Sequence, residues 1–79
     1  MFYVYILRSK LKPRHYIGFT SNLDKRLAHH NKGLNRSTKP LRPWEVIYYE
    51  QYATKEEAWK REKQIKSYKG GRAFKALLE

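Results

Sequence analysis

The chain has 79 residues, no Cys, and 18 Lys and Arg against 7 Asp and Glu, which gives a formal net charge of +11. This length suits one domain over residues 1–79, and the lack of Cys excludes disulfides and Cys-ligated zinc, which fits a cytoplasmic location. No apolar run approaches the roughly 20 residues of a membrane span, so we expect no membrane partner, and the short apolar start is read as a strand, not a signal peptide.

Two strands are predicted at the start of the chain. The segment FYVYIL, residues 2–7, consists of aromatic and aliphatic residues throughout, which predicts a strand covered on both faces. Residues 9–13 form a polar connector, since Pro13 does not suit the interior of a strand. A second strand over residues 14–19 is expected to pair with the first as an antiparallel hairpin, because the connection is short.

The middle of the chain predicts a helix, a loop and a third strand. Residues 20–22 are all suitable N-caps and Asp24 follows in the first turn, so a helix begins here and ends near Gly33. Residues 34–43 are polar and basic with two prolines, which indicates a loop long enough to carry binding. The segment WEVIYYEQY, Trp44–Tyr52, predicts a strand.

Two helices are predicted at the end of the chain. Thr54 and Glu57 have the spacing of a capping box and begin a helix that Gly70 and Gly71 end. A short final helix, Arg72–Leu78, follows. Together the elements predict an α+β fold, a small three-stranded antiparallel sheet flanked by helices in the order ββαβαα.

The positive charge indicates a polyanionic partner. Lys and Arg are spread from Arg8 to Lys75 and are not gathered in a tail. Because neutralising phosphates releases counterions, a nucleic acid is the first expectation, with DNA ahead of RNA. A solvated basic surface, a ribosome-associated protein and an anionic membrane surface are the alternatives, and the lack of a long amphipathic basic helix weakens the last of them.

One acidic residue is not explained by capping, a strand position or the terminus. Glu62 lies in the middle of a predicted helix, on or beside an apolar stripe that contains Ala58 and Ile65. A carboxylate is costly there unless a cation or a metal partners it. The alternative is an ordinary surface ion pair with Lys66, in the favoured i,i+4 orientation.

Five further residues have structural explanations when they are taken one at a time. Core packing would explain Tyr5 and Tyr16, and a solvated helix face would explain Arg26. His30 would simply offset a helix dipole in this view, and Gly18 would mark an irregularity in its strand. It is their order along the chain, together with Glu62, that indicates a function.

This order resembles a known nuclease family. The chain has YVY at residues 3–5, YIG at residues 16–18, and then Arg26, His30 and Glu62, a pattern similar to that of the GIY-YIG nuclease domain over essentially the whole chain. The resemblance includes HN at residues 30–31, the PWEVIY strand and the REKQIK helix. It is especially marked for small single-domain bacterial members and for the catalytic domain of the structure-specific endonuclease Slx1. The first tripeptide departs from GIY, and KSYKGGRAFK has no clear equivalent of the polar residue, often Asn, found there in many members.

The resemblance implies a mechanism for hydrolysing phosphodiesters. It implies one divalent metal, Mg²⁺ or Mn²⁺, held by Glu62 as the single carboxylate, with Arg26 bracing the phosphorus. It also implies a Tyr as base: Tyr5 is the candidate, Tyr16 would position the water or assist, and the division of roles between them stays open. Arg26, the metal and the positive surroundings are expected to lower the phenol pKa from its ordinary value of about 10. His30 would pass the proton on or contact the phosphate.

Phosphate contacts are expected around this site. Gly18 is expected to leave space for the phosphate backbone. Basic residues of the loop and of the region beyond Glu62 are expected to hold DNA through its phosphates, namely Arg36, Lys39, Arg42, Lys66 and Arg72.

The leading hypothesis is therefore a metal-dependent endonuclease in DNA repair that acts on branched, flapped or damaged DNA, with a partner protein as a source of further specificity. The second is a non-catalytic or weakly active nucleic-acid-binding module of the same fold that works with a partner protein. The third is a basic RNA- or ribosome-associated protein without catalysis.

Overall fold

The structure is a computed structural model that describes residues 1–79. It contains a three-stranded antiparallel sheet and three α-helices in the order ββαβαα, so the predicted α+β fold is confirmed. The elements are β1 (Phe2–Ser9), β2 (His15–Thr20), α1 (Leu23–Asn31), β3 (Trp44–Tyr52), α2 (Lys55–Ser67) and α3 (Arg72–Leu78).

β1 is the central strand of the sheet. The strand order is β2-β1-β3, and both neighbours run antiparallel to β1. Residues 4–7 are at most 1 % exposed, which confirms the prediction of a strand covered on both faces. Val4 and Ile6 pack against α2 and α3, whereas Tyr5 and Leu7 pack on the opposite face with Trp44 and α1. The central strand therefore presents Tyr5 from the interior of the protein.

Several boundaries differ from the prediction, among them the end of α2, which lies at Ser67, before Gly70. β1 continues to Ser9, because Ser9 still pairs with Trp44 of β3. β2 begins one residue later than expected, at His15, and ends one residue later. The predicted loop over residues 34–43 contains a short 3₁₀ turn, Lys39–Leu41.

None of the helices combines the length and the apolar character needed to cross a membrane.

Capping residues set the start of the two longer helices. The Asn22 side chain accepts a hydrogen bond from a backbone amide in the first turn of α1, and Thr54 and Glu57 form the capping box that the sequence predicts for α2. A cap decides where a helix begins. Packing of Leu23 and Leu27 in α1 then sets the direction in which Arg26 points. Packing of Ala58 and Ile65 in α2 does the same for Glu62.

A group of hydrogen bonds around the Glu50 carboxylate, which we call the Glu50 cluster, joins β3 to α2. The Glu50 carboxylate accepts two hydrogen bonds from the Arg61 guanidinium, at 2.8 Å from Nε and 3.0 Å from Nη2, and it also accepts from the hydroxyls of Tyr48 and Tyr52. Burial alone would raise the pKa of Glu50, but these hydrogen bonds outweigh burial and lower that pKa to about 2. Arg61 directly precedes Glu62, so the cluster also orients the turn of α2 that carries Glu62.

Replacing Glu50 by Gln should destabilise the protein at pH 7 by about 2 kcal/mol, since a hydrogen bond to a charged group contributes roughly 1.5–3 kcal/mol. The folded pKa of Glu50 lies below its unfolded value, so its contribution is complete above about pH 5 and is lost as the pH falls toward 2. Urea denaturation should therefore show a steeper loss of stability over this range in the wild type than in Glu50→Gln.

Glu56→Gln is the control for this prediction. Glu56 pairs with Lys60 at 3.2 Å, but its side chain is 73 % exposed, and an exposed pair of this kind contributes little to stability. Equal destabilisation by the two substitutions would contradict the role given to the Glu50 cluster.

Candidate active site

A cavity of about 630 Å³ opens beside β2, and side chains from four elements line it. β1 contributes Tyr5, β2 contributes Tyr16 and Gly18, α1 contributes Arg26, and α2 contributes Glu62. Four of the five residues predicted to be catalytic therefore meet at one place, although they are distant along the chain.

Glu62 borders this cavity and is shielded from open solvent. Its side chain is 13 % exposed, and it lies on α2 between Ala58 and Ile65, which are both fully buried. Lys66 Nζ lies 3.1 Å from Glu62 Oε1, so the i,i+4 ion pair that was the alternative explanation is present. The two explanations are compatible, because the paired carboxylate still lines the cavity.

The oxygen ligands available near Glu62 suit a cation that keeps most of its water. The protein has no group of three or more His, Cys, Asp or Glu side chains that could hold a metal ion. Mg²⁺ prefers oxygen ligands, dehydrates reluctantly and is commonly bound by one or two carboxylates together with substrate phosphates. A single carboxylate on an open cavity fits Mg²⁺ or Mn²⁺ and does not fit a zinc centre built from several His side chains.

Gly18 makes room for the Tyr5 ring. The two residues face each other in the β1–β2 register, and a Cβ added to Gly18 would lie 2.7 Å from Tyr5 Oη and 2.9 Å from Tyr5 Cζ. Any side chain at this position would therefore displace the phenol. The close approach of the Tyr5 ring thus explains why this position is a glycine. The expected contact of Gly18 with a phosphate backbone stays a prediction.

Gly18→Ala should destabilise the protein by roughly 1–3 kcal/mol, the usual effect of adding a methyl group to a packed interior. Since the nearest atom is the Tyr5 hydroxyl oxygen, combining Gly18→Ala with Tyr5→Phe should restore part of the loss. Urea denaturation of the wild type, both single variants and the double variant measures this coupling. Purely additive effects would show that the Tyr5 hydroxyl is not the group that the added methyl meets.

His30 lies behind the cavity and is fully buried. Its Nε2 is 3.3 Å from the Tyr5 hydroxyl, and its Nδ1 is 2.8 Å from Thr38 Oγ1. The Thr38 hydroxyl donates to the Asn35 carbonyl oxygen at 3.4 Å, so its oxygen accepts from His30 Nδ1–H. His30 Nε2 is then left to accept from the Tyr5 hydroxyl. The result is a directed hydrogen-bond chain from Tyr5 through His30 and Thr38 to Asn35.

Burial dominates the acid–base properties of this chain. It lowers the pKa of His30, and nearby positive groups add to this effect. It raises the pKa of Tyr5 well above the ordinary value; Tyr16 and Glu62 raise it further, and Arg26 opposes them. When only the groups of the protein act on Tyr5, the expectation of a lowered pKa is wrong. The cost of removing an almost inaccessible phenol from water outweighs the attraction of one guanidinium. Tyr5 and His30 are both neutral at pH 7.

Thr38 is a functional candidate that the sequence did not single out. It lies in the predicted loop, yet it is 2 % exposed. Trp44 Nε1 donates to the Thr38 carbonyl oxygen at 2.9 Å, and the Asn31 side chain bonds both the amide and the carbonyl of Trp44. A Thr within a polar basic segment has no pattern that predicts burial, so only the folded loop reveals its contact with His30.

The basic residues predicted to contact DNA do not line the cavity. All five are exposed, and they are Arg36, Lys39, Arg42, Lys66 and Arg72. The two basic residues that do line it are Arg26 and Lys55. Lys55 was not predicted, because a Lys in the first turn of a helix carries no distinctive signal. DNA contacts by the five exposed residues stay a prediction.

The chain is similar to one protein family along most of its length. The family model described as the GIY-YIG catalytic domain matches residues 1–73. UPF0213 proteins of Staphylococcus haemolyticus and Staphylococcus saprophyticus are 37 % and 36 % identical to it over 78 residues, which covers 98 % of the chain and 94 % of each relative. A UPF0213 protein of Staphylococcus epidermidis is 40 % identical over 65 residues, 81 % of the chain and 79 % of that relative.

No solved structure shows a significant match to the chain. The family match confirms the resemblance that the order of Tyr, Gly, Arg, His and Glu residues indicated. The likeness to the Slx1 catalytic domain stays a prediction, since the names of these relatives do not bear on it.

Proposed function

The chain belongs to the GIY-YIG family, and on this premise we propose that it is a metal-dependent endonuclease that hydrolyses DNA phosphodiester bonds. The observation that carries the proposal is the meeting of Tyr5, Tyr16, Arg26 and Glu62 around one cavity. A carboxylate for a metal, a guanidinium for phosphate charge and hydroxyls for proton transfer are the groups that this hydrolysis needs.

The electrostatics of the protein support a DNA substrate. The net charge of +11 attracts the phosphate backbone over the whole surface. Within the cavity, Arg26 and Lys55 offset the negative charge of Glu62. The forked Arg26 guanidinium suits two phosphate oxygens at once, so it would stabilise the charge that builds on them during attack.

The hydrogen-bond chain supports a proton relay. Tyr5 is neutral, so it does not act as a phenolate formed in advance; its oxygen would accept a proton from the attacking water as its own proton passes to His30 Nε2. His30 would then carry a proton on each nitrogen, and Nδ1–H would still donate to Thr38. Tyr16 lines the cavity with its ring centre 4.7 Å from that of His30, and it would position the water.

Glu62 is the residue that would hold Mg²⁺ or Mn²⁺, with water completing the coordination. When bound, such an ion polarises a phosphate oxygen and stabilises negative charge on the leaving oxygen. Lys66 would keep the Glu62 carboxylate oriented through the ion pair at 3.1 Å.

The proposed substrates are branched, flapped or damaged DNA structures. The two cations of the cavity, Arg26 and Lys55, suit phosphates, and phosphate contacts carry no sequence information. Selection among DNA molecules would therefore depend on the path and accessibility of the strand, and a partner protein would supply further specificity during DNA repair.

Two observations favour a second candidate, a non-catalytic or weakly active nucleic-acid-binding module of the same fold. The Glu62 carboxylate already has a cation partner in Lys66, and burial raises the pKa of Tyr5. Both features also suit groups that serve folding alone.

One experiment separates the two candidates. Labelled duplex, flap and junction DNA are incubated with the wild type or with Glu62→Ala, in Mg²⁺, in Mn²⁺ or in a chelator. The nuclease proposal predicts metal-dependent cutting by the wild type that is lost in Glu62→Ala. DNA binding by both proteins without cutting by either would support the binding module.

A further inference from the structure

α2 has an exposed aromatic residue next to the cavity. Trp59 is 44 % exposed, and Lys63 Nζ lies 4.4 Å from the centre of its ring. Lys55 borders both the active-site cavity and a shallow pocket that it forms with Glu56 and Trp59, and the Glu56 carboxylate there is paired with Lys60. With 3.6 residues per helical turn, positions i, i+4 and i+8 lie along one face. Lys55, Trp59 and Lys63 therefore form a continuous surface, which we call the tryptophan strip.

The fold does not account for Trp59. The core contacts of α2 are made by Ala58 and Ile65, and Trp59 belongs to neither of the two hydrophobic clusters. A single exposed apolar side chain is common and says little by itself. The informative features are the cation on each side of the indole and the continuity with the cavity.

The position of Trp59 on α2 connects it with the proposed metal ligand. At about 100° per residue, Trp59 lies about 60° around the helix from Glu62. Lys55 lies between them, since it lines the cavity together with Glu62 and the shallow pocket together with Trp59. A DNA strand that crosses the cavity beside Lys55 would therefore lie next to the indole.

We propose that the tryptophan strip stacks an unpaired base of the DNA strand whose backbone crosses the cavity, an inference that rests on the proposed nuclease function. Lys63 Nζ covers one face of the indole, so the base would stack on the other face, and Lys55 and Lys63 would offer cations for the flanking phosphates. A paired base inside a duplex is covered on both faces by its neighbours and cannot stack on Trp59. The strip thus selects DNA with a single-stranded segment beside the bond to be cut.

Tryptophan fluorescence tests this inference without cleavage. The protein has 2 Trp residues, and Trp44 is 3 % exposed, so quenching of the emission by a stacked base reports on Trp59. The full chain is titrated in a chelator with a duplex that carries a short single-stranded flap and with the same duplex without the flap. We expect the flap DNA to quench the emission more, and this difference to disappear in Trp59→Phe.

Affinity provides the second measurement. Trp59→Ala should weaken binding of the flap DNA roughly tenfold, the usual scale for removing one base–aromatic stack, and should leave the plain duplex nearly unaffected. Tyr49→Ala is the matched control, because Tyr49 is an aromatic residue on β3 that is 54 % exposed and does not line the cavity. It should leave both affinities unchanged.

Equal quenching by the two DNAs, or an unchanged affinity of Trp59→Ala for flap DNA, would overturn the inference. The same loss of flap binding in Tyr49→Ala would also overturn it. If a polyglutamate peptide quenched the emission as strongly as flap DNA does, the strip would instead be assigned to binding an acidic protein segment. Because none of these readouts requires cutting, failure of the nuclease proposal would be recognised separately, by the absence of cleavage.

Discussion

Glu62→Gln should abolish metal-dependent cleavage and leave DNA binding unchanged or tighter. Gln keeps the size of the side chain and one oxygen, but it loses the charge that would hold a divalent cation. The single-turnover rate should fall by at least about 10²–10³-fold, the range found when one electrostatic group of an active site is removed. Binding should not weaken, because the substitution removes a negative charge from the cavity and releases Lys66 from its ion pair.

Glu56→Gln is the matched control for this prediction. Glu56 lies on the same helix and has the same i,i+4 ion pair, with Lys60 at 3.2 Å, but it is 73 % exposed and lies outside the cavity. It should cut DNA at the wild-type rate. Full activity of Glu62→Gln in Mg²⁺ and Mn²⁺, or an equal loss in Glu56→Gln, would show that Glu62 does not hold the metal.

Tyr5→Phe should slow cleavage by roughly 10²–10⁴-fold, the usual contribution of a positioned acid–base group. The substitution keeps the ring that fills the space above Gly18 and removes only the hydroxyl that donates to His30 Nε2. The water would then have no route for its proton, although the cavity, Arg26 and Glu62 would remain. Single-turnover kinetics at several pH values measure the effect.

The pH profile distinguishes a relay from a merely structural hydroxyl. His30 accepts a proton only when it is neutral, and burial lowers its pKa below the ordinary value of 6.5. The wild-type rate should therefore fall only when the pH drops below 6.5, and Tyr5→Phe should lack this acid limb.

Tyr3→Phe is the control for the hydroxyl. Tyr3 lies two residues earlier on β1, and its hydroxyl accepts a hydrogen bond from the Gln51 side chain at 3.4 Å. This hydroxyl takes no part in the hydrogen bonds that connect Tyr5, His30 and Thr38. We expect the wild-type rate and pH profile from this variant. An acid limb that persists in Tyr5→Phe at the wild-type position would contradict the relay.

The sequence could predict the elements because their signals are local. A run of apolar residues identified β1 as a strand covered on both faces, and a capping box identified the start of α2. The boundaries shifted where pairing extended an element, as at Ser9, which bonds with β3 beyond the end of the apolar run. Local patterns do not contain the register of two strands, so the sequence could not predict that extension.

The site could be predicted in part, and what was missed depends on tertiary contacts. The residue order identified four side chains that line the cavity. It did not identify Thr38, whose contact with His30 depends on how the loop folds back, or Lys55, which reaches the cavity from the first turn of α2. For the protein groups alone, the direction of the Tyr5 pKa shift was wrong, because burial of the phenol, which the apolar run of β1 already implied, outweighs the attraction of Arg26.

The central claim is that two phenols, a guanidinium and one carboxylate form a metal-dependent hydrolytic site, and the position of the metal tests it most directly. Crystals of the wild type grown with Mn²⁺ and a non-hydrolysable DNA analogue would locate the ion by its anomalous scattering. We predict an ion bound to the Glu62 carboxylate in the cavity that Tyr5, Tyr16 and Arg26 line. An ion bound elsewhere, in a protein whose cleavage of DNA requires that metal, would contradict this account.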